Sequence, residues 1–497
     1  MQVIDWLAKH ATYSPEKLAL IEIASDRRFT YGEFNQQANR FCAYLERIGV
    51  KSGDRVSVLL PNCVELLFVL FGATKLGAIF VPLNFKLAVP ELIPILADAQ
   101  PAVLIYSNEF AGMAAAIRTE SVLAQLLNID DLLPEIDKLP DENPLRISAD
   151  LESPQMLLYT SGTTGTPKGV ILSHRMILWN SINTSIRMLT PGDTVLVHTP
   201  MFYTGGLNVY TLPAFYLGAT VAILKTFSAA EVLREIGRLK ITVLFAVPTQ
   251  LTMMADSDVF HEPDLTTLRY LISGGAPCPV PLIQRWMERG ITLRQGFGLT
   301  EVGPNSFALD VRDALRKAGS IGFPNFSIEA RIVDDDGRDV AVGAVGELIL
   351  RTPAMCSGYW NNLEQTRAAI RDGWFHTGDL ASRDEEGYCY IVDRKKDMFI
   401  SGGENVYPAQ IEHLLRMHPK VDDVAVIGTP HSKWGEVGCA FVVVRPGESL
   451  TAEDLLAFCS GKIAKFKIPQ SVVFVSELPR TISGKVRKQI LKQTAML

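Results

Sequence analysis

The sequence predicts an α/β protein of more than one domain, and three observations carry that expectation. Its 497 residues exceed what one ordinary core organises, at roughly 100–200 residues per domain. Two long stretches alternate amphipathic helical patterns with short apolar runs, as parallel sheets flanked by helices require. Towards the C-terminus the texture changes to strands with tight turns and then to a small α+β unit of about 100 residues.

The first alternation covers residues 30 to 150. TYGEFNQQANRFCAYLERIGV is amphipathic, and RVSVLL, ELLFVLFGATKLGAIFVPL and AVLIYS follow it as apolar segments. Asp131 to Pro154 is acidic and carries prolines, so it is expected to wrap the surface. The second alternation runs through TVLVHTP, TVAILK, VLFAVPTQ and YLISGG, each an apolar strand ending in Gly, Pro or Thr. Ligands bind at the carboxyl ends of such strands. Beyond residue 320, IEARIVDDDGR and GELILR predict an antiparallel or barrel-like subdomain. From Lys396 the order is hairpin, helix PAQIEHLLRM with Pro408 in its first turn, strands VDDVAVIG and CAFVVV, helix AEDLLAFCSGKIA, strand SVVFV and a last short helix.

Composition excludes several classes. A net charge of -6 and a pI near 5.8 argue against a nucleic-acid partner, which needs a basic face. Seven cysteines without a CxxC pair suit core thiols in a reducing compartment. MQVIDWLAKH lacks the basic and apolar regions of a signal peptide, so a cytoplasmic protein is expected. The longest apolar run, Leu66 to Ala73, falls far short of the roughly 20 residues that cross a bilayer. The histidines show no metal-ligand spacing, so no zinc site is expected, and no GxSxG elbow supports serine hydrolysis.

The chemistry concentrates in six short stretches. YTSGTTGTPKG, Tyr159 to Gly169, follows the apolar piece QMLLY and fails the phosphate-loop pattern G-x-x-x-x-G-K-[ST]. It still gathers the hydroxyls of Thr160, Ser161, Thr163 and Thr164, the backbone amides freed by Gly162 and Gly165, and the ammonium of Lys168, a set suited to a triphosphate. SGGAP presents Gly274, Gly275, Ala276 and Pro277 at a strand end, open to a planar base or serving as a plain strand exit. QGFGLTE holds Gln295, Gly296, Phe297, Gly298, Leu299, Thr300 and Glu301: an aromatic ring to stack on a base, a hydroxyl for phosphate, and a carboxylate for Mg²⁺. WFHTGDL places Asp379 after a glycine, as a ribose acceptor or a turn aspartate. DRKKDMFISGGENVYP reads as a hinge or a charged hairpin, and PRTISGKVRK carries Lys485 in a polar loop near the end of the chain.

In this order and at these spacings, the six stretches resemble the adenylate-forming superfamily of acyl-CoA synthetases, carrier-protein adenylation domains and luciferases. The resemblance spans nearly the whole chain. It implies a large N-terminal domain, 1–394, of two α/β sheet subdomains plus a distorted β-barrel, and a small mobile α+β C-terminal domain, 395–497. It also implies a reaction in two halves: a carboxylate attacks the α-phosphate of ATP, giving acyl-AMP and pyrophosphate, and a thiol then takes the acyl group. By this likeness Thr160 and Glu301 help hold Mg²⁺, Lys168 and the loop hydroxyls hold departing pyrophosphate, and Lys485 bridges carboxylate and α-phosphate. Phe297, with Gly274 to Pro277, takes adenine; Gln295, Gly296, Gly298 and Leu299 join the ATP/AMP-binding set; Asp379 and Arg394 take ribose; Thr300 serves the α-phosphate region. Lys396 marks the hinge, and Gly402 and Gly403 line the thiol tunnel.

The likeness also locates an acyl pocket. PMFYTGGLN matches a segment that in many relatives carries a histidine where Tyr203 stands here, so nothing transfers from that histidine. Expected walls are Trp179, Phe202, Tyr203, Leu207, Val247 and the Gly274 to Ala276 strip, apolar enough to favour a fatty or aryl monocarboxylic acid over a dicarboxylate or an amino acid. Arg294 is read as a surface residue, with a pocket cation as the alternative. CoA is the expected acceptor, and the Lys462, Lys465 and Lys467 cluster fits CoA or a carrier protein equally. A non-catalytic nucleotide-binding regulator is disfavoured by the intact Lys168, Glu301 and Lys485 set. The partners implied are a carboxylic acid, ATP and CoA, with room for a homodimer.

Overall fold

A computed structural model describes residues 2–120, 125–142, 149–160, 167–401, 404–460, 462–481 and 484–495. Among these residues the strands form sheets of nine, six, five and five. The chain divides into two compact units, one of Met1–Glu329 with Leu350–Phe375 and one of Ala330–Ile349 with His376–Leu497.

The first unit contains both expected α/β sheets. In the six-stranded sheet, Arg55–Leu59, Ile79–Pro82 and Val103–Tyr106 run parallel, and the sheet closes on the antiparallel hairpin Pro154–Thr160 with Lys168–Ser173. Its helices declare themselves locally. Thr30 and Glu33 form a capping box that starts the amphipathic helix Tyr31–Arg47. Val64–Leu76 is apolar around most of its circumference because it is buried along its length, with Phe68 and Phe71 packed on Phe34 and its Glu65 and Lys75 ion-paired to Arg27 and Asp5. This is the apolar run that could not span a bilayer, and among the described residues no helix is long and apolar enough to cross a membrane.

In the nine-stranded sheet, Leu18–Glu22, Thr220–Ile223, Thr194–Val197, Val243–Ala246, Tyr270–Ser273 and Leu293–Leu299 are parallel neighbours in that order. Antiparallel strands finish both edges. The acidic stretch expected to wrap the surface is mostly exposed or half-buried where described, and it contains part of a short helix, Ile129–Ile136. Asn128 caps it, and it buries Ile129 and Ile136. Pro134 sits inside this helix and hid it from a reading by punctuation.

The barrel-like sheet comprises Glu329–Val333, Gly346–Arg351, Trp374–Arg383, Ile370–Arg371 and Cys389–Arg394. The division between the units passes through three of these strands, so the hinge expected at Lys396 lies inside the second unit. That unit also holds the small α+β sheet, where Phe399–Ser401, Glu404–Val406, Val421–His431, Gly435–Val444 and Ser471–Phe474 pack with the helix Pro408–Arg416. The helix expected over AEDLLAFCSGKIA stops at Cys459, and a separate turn, Lys465–Lys467, follows. All seven cysteines are free thiols, and six of them are buried.

Candidate active site

The hairpin register sets Thr160 opposite Lys168 and Tyr159 opposite Gly169, so both stems of the glycine loop end side by side. Ser161, Gly162, Thr163, Thr164 and Gly165 lie outside the described residues. The stems are fastened from below. Tyr159 donates its hydroxyl proton to Asp98 at 2.6 Å, and Trp360 Nε1 donates to the Asp98 carbonyl at 3.2 Å. The segment 357–360 runs beside Lys168–Ser173, with Trp360 N donating to Gly169 O at 2.7 Å and Ile171 N to Gly358 O at 3.0 Å. A Cβ on Gly169 would lie 3.0 Å from the Tyr159 ring and 3.2 Å from Trp360 Cβ, so only glycine lets these segments close.

That closure brings in a residue the sequence did not flag. The Tyr359 ring lies 5.4 Å from Lys168 Nζ, and its hydroxyl donates to Glu301 Oε1 at 3.0 Å. Burial, and then the Glu301 charge, raise the Tyr359 phenol above its ordinary range, which keeps it protonated and a donor. One aromatic side chain thus joins the lysine of the first motif to the carboxylate of the third. No periodicity marks Tyr359, because its partners are distant in sequence and the contact depends on the strand Lys168–Ser173 beside it.

Glu301 itself follows the strand Leu293–Leu299 through a tight turn, with Val302 N on Leu299 O at 3.4 Å, and its carbonyl accepts from Cys356 N at 2.7 Å. The strand's glycines sit where backbones approach. A Cβ on Gly298 would lie 2.3 Å from the Pro304 carbonyl carbon, and one on Gly296 would lie 2.8 Å from Ile272 Cδ1. Ser273 pairs with Gln295, which draws the Gly274 turn alongside Gly296; Gly275 takes φ +83, and Gly275, Ala276 and Pro277 are exposed. Phe297 packs edge-on to Phe307 at 5.8 Å. The Gln295 side chain is buried and accepts from Gly319 N at 3.1 Å, so that side chain holds the fold.

The expected acyl-pocket residues gather partly around the turn after Thr194–Val197. Phe202 and Leu207 are buried; Tyr203 is half-buried, with its ring 4.5 Å from Phe202 and its hydroxyl accepting from Asn84 Nδ2 at 3.2 Å. Trp179 is half-buried on the helix His174–Arg187, and Val247 lies 3.7 Å from where Gly275 would carry a Cβ. Phe245 was not anticipated. Its ring comes within 3.1 Å of a Cβ position on Gly205 and 3.4 Å of one on Gly274, so it walls both glycine turns. Nearby, His198 is fully enclosed, and burial lowers its imidazole to about 4. Arg294 is no surface residue: it is buried with its guanidinium 4.1 Å over the Tyr270 ring and Nη1 donating to Leu309 O at 3.4 Å.

In the second unit, Asp379 and Arg394 face each other on paired strands, with Arg394 Nε 2.7 Å from Asp379 Oδ1. Asp379 is buried, and its amide donates to Thr377 Oγ1 at 3.0 Å. Lys396 is exposed in the turn after Arg394, and Gly402 and Gly403 lie outside the described residues. Lys485 is exposed on a loop whose stems pair Arg480 with Val486, and Thr481 N donates to Lys485 O at 2.7 Å.

Parallel sheets whose carboxyl-end loops gather a lysine, a carboxylate and hydroxyls are the make-up of a nucleotide-using α/β enzyme. Residues 7–360 match the AMP-binding enzyme family and residues 410–485 its C-terminal domain. The chain belongs to the AMP-binding enzyme family, in its carboxylate–CoA ligase branch. It is 39% identical over 485 residues to a feruloyl-CoA synthase of an Amycolatopsis species, covering 97% of each chain. It is 39% identical over 502 residues to the indoleacetate–CoA ligase of Aromatoleum aromaticum, covering 99% of this chain and 98% of that one. The ATP-bound MatB structure from Rhodopseudomonas palustris superimposes with a TM-score of 0.92 at 30% identity, covering 99% of each.

Proposed function

We propose that this chain is an ATP-dependent, cytoplasmic acyl-CoA synthetase that activates a fatty or aryl monocarboxylic acid as acyl-AMP and passes the acyl group to CoA. The single observation that carries this reading is the Lys168, Tyr359 and Glu301 constellation beside Thr160. It sets a cation for phosphate next to a carboxylate that accepts a hydrogen bond from a phenol. The aryl arm of the substrate class draws support from the aromatic walls Phe202, Tyr203 and Phe245 and from relatives named for ferulate and indoleacetate.

In the first half-reaction a carboxylate oxygen attacks the α-phosphorus of ATP and the bond to pyrophosphate breaks. Repulsion between the anions is the main barrier, so fixed positive charge is the largest expected contribution to rate. Lys485 serves the attacking carboxylate and α-phosphate, while Lys168 and the Thr160 hydroxyl serve the leaving pyrophosphate. Asp379 and Arg394 take the ribose, and the Gly274 to Pro277 turn takes the base. Thr160 and Glu301 are hard oxygen donors, the kind that suits a magnesium ion shared with phosphates. Bound there, Mg²⁺ supplies charge neutralisation of phosphate oxygens. In the second half-reaction the CoA thiol loses its proton, its sulfur attacks the acyl carbon and AMP departs. Reorientation of the C-terminal domain, 395–497, at Lys396 withdraws Lys485 and brings Gly402 and Gly403 to the thiol path.

The test separates the halves. Lys485→Ala is expected to abolish acid-dependent pyrophosphate exchange while thioester formation from supplied acyl-AMP persists, and Gly403→Leu is expected to do the reverse. Equal loss of both halves in both variants refutes the assignment. A panel of fatty and aryl acids, with and without CoA, identifies the substrate; AMP release that ignores CoA points to a carrier-protein acceptor instead.

A further inference from the structure

The second unit contains a chain of alternating charges to which the reaction above gives no role. Arg480 pairs with Asp423 and donates to Gly484 O, at the base of the Lys485 loop. Asp423 also lies 3.6 Å from Arg416, Arg416 lies 3.9 Å from Glu412, and Glu412 Oε1 lies 2.7 Å from Lys488 Nζ. Glu412 is further anchored by Val426 N at 2.9 Å, and Arg416 by its bond to Val424 O at 2.8 Å.

The last acidic member is Asp393, buried at the end of the strand that leads into Arg394 and Lys396. Its Oδ2 accepts from Ala409 N at 2.8 Å, in the first turn of the helix carrying Glu412 and Arg416, and its Oδ1 accepts from Arg394 N at 2.7 Å. Asp393 and Lys488 are thereby tied to the same helix, Asp393 through Ala409 N and Lys488 through Glu412. The Lys488 and Glu412 side chains are only 14% and 10% exposed, which separates this pair from surface ion pairs that contribute little. Losing one partner of such a pair leaves an uncompensated charge behind.

Arg480 precedes Lys485 and Lys488 follows it. The loop between them closes on itself through Thr481 N to Lys485 O at 2.7 Å and Lys485 N to Thr481 Oγ1 at 3.1 Å. We propose that Arg480 and Lys488 are positioning residues for acyl-adenylate formation, clamping the two stems of the Lys485 loop onto Asp423 and Glu412 and linking that loop, through the helix Pro408–Arg416, to Asp393 at the entrance to the Arg394–Lys396 turn. The inference rests on the reading of Lys485 as the adenylation lysine. A terminal segment that carries a reacting charge must be held to a fraction of an ångström, and this clamp supplies that restraint from both sides.

The experiment uses the full-length enzyme and pyrophosphate exchange with ATP and a turned-over acid. Lys488→Met is expected to lower kcat by about ten- to a hundredfold with KM for ATP changed less than about threefold, because positioning and not nucleotide binding is lost. Lys488→Arg keeps the charge and is expected to stay within about threefold of wild type. Arg480→Gln, at a more exposed site, is expected to reproduce the kcat loss without unfolding risk. Equal losses in Lys488→Met and Lys488→Arg overturn the clamp, as does wild-type kcat in Lys488→Met and Arg480→Gln alongside a dead Lys485→Ala. Wild-type exchange in Lys485→Ala overturns the underlying reading, and the clamp with it.

Discussion

Replacing Tyr359 with phenylalanine isolates one bond of the candidate active site. The ring stays beside Lys168 Nζ, and only the hydroxyl that donates to Glu301 Oε1 at 3.0 Å is removed. A hydrogen bond to a charged group contributes about 1.5–3 kcal/mol when nothing replaces it. Glu301 is half-buried, so water recovers part of this and about 1–2 kcal/mol remains. At about 1.4 kcal/mol per factor of ten, Tyr359→Phe is expected to lower acid-dependent pyrophosphate exchange by about 5- to 30-fold and to raise its magnesium requirement. Tyr359→Leu, which also removes the ring from the ammonium, is expected to lose a further factor of about 2–5. Because burial and Glu301 raise the phenol, it holds its proton past the pH near 10 where free tyrosine ionises, so the ratio of wild type to Tyr359→Phe stays flat from about pH 7 to 9. The assay is exchange rate against magnesium concentration at saturating ATP and acid. A Tyr359→Phe curve superimposed on wild type refutes the link between Glu301 and Lys168, and an equal loss in thioester formation from supplied acyl-AMP removes it from the first half-reaction.

Acid stability follows from two buried imidazoles. Burial lowers His174 and His198 to about 4. Unfolding returns them to about 6.5, so their contribution is complete above about pH 6.5 and is lost as pH falls towards 4, at about 1.4 kcal/mol per pH unit for each. His174→Asn is expected to flatten the urea-unfolding stability profile between those values, and an unchanged slope refutes it. Gly298→Ala drives a Cβ to 2.3 Å from Pro304 and 2.4 Å from Gly303 O, both backbone, so the turn holding Thr300 and Glu301 must move. A loss of about 1–3 kcal/mol in stability is expected, with a larger drop in exchange. Gly112→Ala, where nothing lies within 4 Å of the new methyl, is expected to be neutral or mildly stabilising. Matching effects at the two glycines refute the close-approach reading.

Much of the fold was legible because its signals are local. TVLVHTP, TVAILK, VLFAVPTQ and YLISGG became neighbouring parallel strands because each apolar run ends in a residue that breaks pairing where a helix or turn begins. The capping box at Thr30 and Pro408 at the start of its helix are equally local. Competing local signals also act within elements: Pro134 reads as a helix breaker yet sits in the second turn of Ile129–Ile136, and the helix after Thr451 ends at Cys459 although apolar spacing continues to Ala464. What no local reading supplied was the run of the barrel-like strands across both compact units, which depends on long-range pairing.

The candidate site divides along the same line. Its glycines were readable because they mark places where the backbone must come close, and Gly169, Gly296 and Gly298 all meet a neighbour that a side chain would strike. Tyr359, Phe245 and Asp98 were not readable, since each acquires meaning only from the strand that topology sets beside it. Gln295 shows the converse: a polar residue inside a nucleotide-like motif spends its side chain on Gly319 N. Arg294 shows a third case, a charge that sequence reading assigns to the surface and that cation–π stacking on Tyr270 allows indoors. A motif therefore predicts where backbones approach, while its charged groups meet residues recruited from elsewhere in the chain. Tyr359 is the sharpest instance, because its ring lies 5.4 Å from Lys168 Nζ while its hydroxyl donates to Glu301 at 3.0 Å, so one side chain touches two charges from separate motifs.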